Sequence, residues 1–149
     1  MYAAPLTLAI AGLLVFTPSI ARTADDTADE LKQLAGRYET TFTNNAGTVF
    51  RIVMEIDGDK QVATTYDDVG NVVIAHTATI KVEKRGPVRV FSYFNVIVLA
   101  GPHKGEKHFE TVSYIYRADD KSFTEVWGML ENDPSAPRIL IWKRLTATK

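Results

Sequence analysis

From residue 37 onward the apolar and polar positions repeat with a period of two, the signature of half-buried strands rather than helices. Tyr38, Thr40 and Phe42 oppose Arg37, Glu39 and Thr41. Phe50, Ile52, Met54 and Ile56 oppose Arg51 and Glu55, and Val72, Ile74, Ala78, Ile80 and Val82 oppose Thr77, Thr79, Lys81 and Glu83. The pattern predicts eight strands: Arg37–Thr43, Thr48–Ile56, Lys60–Tyr66, Val72–Lys84, Val88–Leu99, Lys107–Arg117, Phe123–Leu130 and Arg138–Leu145. Turn chemistry separates them, in NNAG, DGD, DDVGN, RGP, AGPHKGE, ADDKS and ENDPSAP. Val88–Leu99 is apolar on both faces and the last three segments are mixed, so these four strands have no assigned inner face.

Two other patterns precede the strands. Residues 25–35, DDTADELKQLA, form a predicted short helix: Asp25, Asp26 and Thr27 suit its first turn, Leu31, Leu34 and Ala35 share a face, and Gly36 stops it. Residues 1–21 contain no Asp, Glu, Lys or Arg and carry an apolar run, Leu6–Phe16, followed by Pro18 and Ser19-Ile20-Ala21. That order predicts an export signal cleaved after Ala21. An 11-residue run rises only about 16 Å as a helix, roughly half the hydrocarbon thickness of a bilayer, so no membrane span is expected once the signal is removed.

The expected architecture is all-β: an eight-stranded antiparallel up-and-down barrel over 37–149, a helical lead-in over 22–36, and the signal peptide ahead of both. Short links favour pairing in chain order, and closure removes the exposed sheet edges that a sandwich keeps. The helix then plugs one end.

Charge and composition narrow the role. The 17 basic and 18 acidic residues leave a net charge of −1 with no long run of one sign, which gives no footprint for nucleic acid. There is no cysteine, so disulfides, thiol catalysis and cysteine-based metal sites are excluded. A disulfide-free exported domain points to a periplasmic or secreted bacterial protein.

The helix followed by Gly36-Arg37-Tyr38 at the first strand, with Arg144 in ILIWKRL on the last, resembles the lipocalin and calycin barrels. Tyr38 stands where that family usually has Trp. The resemblance implies that Arg144 packs across Tyr38 at the closed end, that Gly36, Tyr38 and Arg144 are scaffold, and that the lumen holds a small, largely apolar molecule. Arg144 also carries a second reading as a clamp for a ligand carboxylate.

Candidate chemistry is sparse. His76 lies on the apolar face of VVIAHTATIKV, as a lumen hydrogen-bonder, an axial haem ligand, or a core histidine satisfied by a neighbouring Tyr or Thr. Tyr66, Phe94, Tyr114, Trp127 and Trp142, with His76 and Arg144, are the expected ligand contacts, since pockets combine apolar walls with a few placed polar atoms. His103, Glu106, His108 and Glu110 fall within eight residues and could hold zinc, although their spacing matches no helix-borne motif and the loop is rich in Gly and Pro. No nucleophile elbow, phosphate loop or dinucleotide fingerprint occurs, and no catalytic residue, metal or cofactor is assigned. Two alternatives stand beside the ligand carrier: a filled barrel acting as an interaction module, with the two-faced strand Val88–Leu99 covered by a second copy as a homodimer, and a metal enzyme built on the His103–Glu110 cluster.

Overall fold

The computed structural model describes residues 24–131, 133 and 136–146, so the expected signal sequence lies outside the described residues. One helix, α1 (Ala24–Leu34), precedes nine strands: β1 (Gly36–Thr43), β2 (Val49–Asp57), β3 (Lys60–Tyr66), β4 (Val72–Arg85), β5 (Val88–Ala100), β6 (Lys107–His108), β7 (Val112–Ala118), β8 (Ser122–Trp127) and β9 (Arg138–Leu145). All pairings are antiparallel. Strands β1 to β5 pair in chain order, β5 passes on to β7, and β7, β8 and β9 continue the ring back to β1. Eight strands therefore close a barrel, and the two-residue β6 adds to the far half of β5.

Closure is made by the chain termini of the domain. Tyr38 pairs with Arg144 across β1 and β9, and Thr40 Oγ1 donates to the Ile141 carbonyl at 2.8 Å. The helix covers the end of the barrel that carries the β2–β3, β4–β5 and β7–β8 turns. Leu34 is buried in the core and Leu31 packs against it. The Tyr38 hydroxyl donates to the Leu34 carbonyl at 2.7 Å, and the Tyr116 hydroxyl donates to Glu30 Oε1 at 2.6 Å. Below the helix, Tyr38, Met54, Ile56, Ile80, Val82, Phe91, Tyr116 and Phe123 fill the lumen. Apolar burial of this extent is the main source of stability for a domain without disulfides.

The sequence pattern needs adjustment in two places. The expected strand Lys107–Arg117 is broken at residues 109–111, and the expected Phe123–Leu130 ends at Trp127. The two-faced β5 changes its alternation at mid-strand. Asn95 adopts a left-handed φ of 52°, and the register across β4 jumps so that Thr79 faces Phe94 while Thr77 faces Ile97. One extra residue in β5 makes a bulge, which reverses the alternation along the strand. Phe91 and Tyr93 point inward before it, paired with Val82 and Ile80; Val96 and Val98 point inward after it. Ile97 and Leu99 are left on the outer side, partly exposed.

Candidate functional site

The barrel interior is divided. The half under the helix is packed, whereas the other half, at the open end, contains a recess of about 250 Å³ lined by His76, Tyr93, Val96, His108, Glu110 and Val112. Its position follows from the bulge. Tyr93 still pairs with Val112 on β7, and Val96 pairs with His108 on β6, but residues 109–111 leave the wall opposite Asn95. The gap between these pairings opens the recess. Its walls are Val96 and Val112, its inner polar groups are the His76 imidazole and the Tyr93 phenol, and His108 and Glu110 stand exposed at its rim.

Burial sets the protonation of the two inner groups. Desolvation holds the His76 pKa below the ordinary imidazole value, so the ring is neutral at pH 7. Desolvation, with the negative fields of Glu125 and Asp133, pushes the Tyr93 hydroxyl up to about 12, against a smaller opposing pull from Arg138. Both are therefore uncharged hydrogen-bonding groups.

Behind Tyr93 lies a polar centre inside the barrel. Glu125 on β8 is 2% exposed, and its Oε2 accepts from Trp127 Nε1 at 2.7 Å. The Tyr114 hydroxyl and the Trp142 indole N–H face the same carboxylate, and both favour its ionised form. The Trp142 N–H nonetheless reaches no acceptor at hydrogen-bond geometry among the described residues. Burial outweighs these donors and the attraction of Arg138, so the Glu125 pKa rises to about 7. Aromatic rings complete the enclosure. Tyr114 and Trp127 lie 4.5 Å apart between centroids, Tyr93 is 6.3 Å from each, and the Arg138 guanidinium sits 5.1 Å over the Trp127 ring.

The expected ligand residues fall into four places. His76, on β4, lines the recess; Tyr114, Trp127 and Trp142 converge on Glu125 behind it. Tyr66 and Phe94 lie on the outer surface. Tyr66 pairs with Arg51, whose guanidinium covers the Tyr66 ring at 4.4 Å and bonds Glu39 at 2.9 Å, and Phe94 faces the outward Thr79. Arg144 is at the opposite, closed end. Its guanidinium lies 5.3 Å over Tyr38 and donates to the carbonyls of Gln33 and Ala35. It also borders a larger hollow, a groove of about 900 Å³ outside the barrel between Gly36, Arg37, Glu55, Asp57 and Lys143. That groove alternates basic and acidic side chains on a solvated surface and gathers no convergent polar set, so the smaller recess is the better candidate site.

The rim loop does not assemble a metal centre. Glu106 sits between two imidazoles, 2.9 Å from His103 Nδ1 and 3.7 Å from His108 Nε2, all three well exposed. Among the described residues no group of three or more His, Asp or Glu side chains converges as metal ligands would.

Glu125 is the residue that pattern reading passed over. A signal for Glu125 was present: in SFTEVW a period of two places it on one face with Phe123 and Trp127, an acid between two aromatics. No protein family, curated protein or solved structure matches the chain.

Proposed function

We propose that this chain is an exported, lipocalin-like barrel that takes up one small, largely apolar molecule, without covalent chemistry, in the open half of its lumen. The observation that carries this reading is the unequal filling of the interior. Side chains pack the half beneath the helix, and the other half has a recess with two valine walls and two neutral polar groups. Pockets for small molecules have this make-up of apolar lining with a few placed polar atoms. Export is supported by the apolar leader and the absence of cysteine, and the carrier role rests on analogy of fold.

The reading is tested by titrating purified protein with a panel of small lipophiles while following tryptophan emission, since Trp127 lies one ring away from Tyr93. A saturable one-to-one response is expected. Native mass spectrometry of protein taken from its own host should show a bound mass. Flat titrations together with an unliganded mass from the host would sink the carrier reading.

A further inference from the structure

We infer that the recess selects an uncharged, single-ring molecule bearing one hydroxyl or comparable group, held between the His76 imidazole and the Tyr93 phenol. This rests on the carrier reading and sharpens it to a ligand class.

Size comes first. A cavity of about 150 Å³ is enough for benzene. The recess, about 250 Å³, therefore takes one ring and a few further heavy atoms, and is below the range of drug-sized pockets. The polar complement comes second. A neutral imidazole offers one donor and one acceptor nitrogen, and a phenol can donate and accept. Neither side chain is hydrogen-bonded to another described residue, whereas the neighbouring polar groups are engaged: Glu125 accepts from Trp127, and His108 and Glu106 stand in solvent. A ligand hydroxyl can donate to the imidazole and accept from the Tyr93 hydroxyl, replacing the solvent that these half-buried groups otherwise meet.

Charge comes third. Burial keeps His76 neutral, and the fields of Glu125 and Asp133 already disfavour a negative charge at Tyr93. An anion in the recess would meet both effects. A cation would gain from the same negative fields, but it would lose its hydration beside an unprotonated imidazole, and Glu110, the carboxylate that lines the recess, is out in solvent at the rim. An uncharged ring avoids the desolvation that either charge must bear.

Four probes of one size separate the outcomes: 4-methylphenol, p-xylene, 4-methylbenzoate and 4-methylbenzylamine, each titrated calorimetrically at pH 7. 4-Methylphenol should bind saturably and most tightly, with p-xylene at least fivefold weaker. Tyr93→Phe and His76→Gln should each weaken 4-methylphenol about five- to tenfold, the loss of one hydrogen bond, and leave p-xylene unchanged. Both replacements are close in size, and the unchanged p-xylene affinity is the control that the fold is intact. Tightest binding of the benzoate or the amine, or unchanged 4-methylphenol affinity in both variants, overturns the inference and leaves the carrier reading standing. Absence of binding by all four probes, with lipophiles from the wider panel still saturating, also overturns the inference alone. If the panel fails as well, both fall.

Discussion

Arg144 and Tyr38 meet where the first and last strands close the barrel, paired in register, with the guanidinium 5.3 Å over the ring. The same guanidinium donates to the carbonyls of Gln33 and Ala35, at the end of α1. One side chain thus satisfies carbonyls that a helix terminus leaves without intrahelical partners, places a cation where the helix dipole favours it, and fixes the helix onto the strand seam.

Arg144→Ala should therefore lower the unfolding free energy by about 2–3 kcal/mol, from the cation–π contact and two charge-assisted hydrogen bonds. Arg144→Lys should recover less than half of that, because an ammonium lacks the planar fork. Urea unfolding of the three proteins measures both values, and an unchanged midpoint in the alanine variant would refute the locking role.

Gly36 has a φ of 147°, and a Cβ there would stand 3.0 Å from Arg144 Nη2 and 3.1 Å from its Nε. Gly36→Ala should cost about 1–3 kcal/mol through backbone strain and displacement of the guanidinium. In an Arg144→Ala background the cost should shrink, since the crowded group is gone. A double-mutant cycle reads that coupling directly.

Glu125 makes stability depend on pH. Its folded-state pKa, about 7, exceeds the 4.5 of the unfolded chain. The native state therefore binds more protons between these values, and stability falls as pH rises through the window, by on the order of 3 kcal/mol in total. Glu125→Gln keeps an acceptor for the Trp127 indole and should flatten that slope, so the variant gains on the wild type from pH 5 to pH 8. His76 works in the opposite direction: its lowered pKa makes stability fall as pH drops below 6.5, and His76→Gln removes that part alone. Unfolding free energies of the three proteins at half-unit pH steps separate the two contributions.

The rim loop gives a prediction of the opposite kind. His103, Glu106 and His108 are exposed and not joined by Glu110 as ligands around one point, so stoichiometric zinc should leave the melting temperature within about 1 °C. A rise of several degrees that vanishes in His103→Ala with His108→Ala would restore a metal site to consideration.

Much of this was legible in the chain. The alternation of β1, β2 and most of β4 fixes their inner faces because side-chain direction follows residue parity until a bulge resets it; at the start of β4 such a shift pairs Val72, expected inside, with the outward Tyr66. Gly36, Tyr38 and Arg144 could be paired in advance because the resemblance to lipocalin and calycin barrels implies an arginine of the last strand across the aromatic of the first. The β5 strand resisted for a physical reason. A single left-handed residue, Asn95, inverts parity at mid-strand, so the inner set is Phe91, Tyr93, Val96 and Val98 and the outer set, Val90, Phe94, Ile97 and Leu99, is apolar as well, a division that a constant period of two cannot draw. Glu125 resisted differently, because an acid in a mixed strand reads as a solvated position until its neighbours are known.

By itself, then, the sequence determined the eight-stranded ring, its order of pairing and the helix, all of which follow from local periodicity and short links, and the family resemblance carried by Gly36, Tyr38 and Arg144 pointed to the residues at the seam. Tertiary structure decided the rest: which half of the lumen is filled, that Tyr66 and Phe94 face outward, and that Tyr93 and Glu125 face inward. Those outcomes depend on the bulge and on contacts between strands far apart in the chain, and a two-residue period carries no information about either.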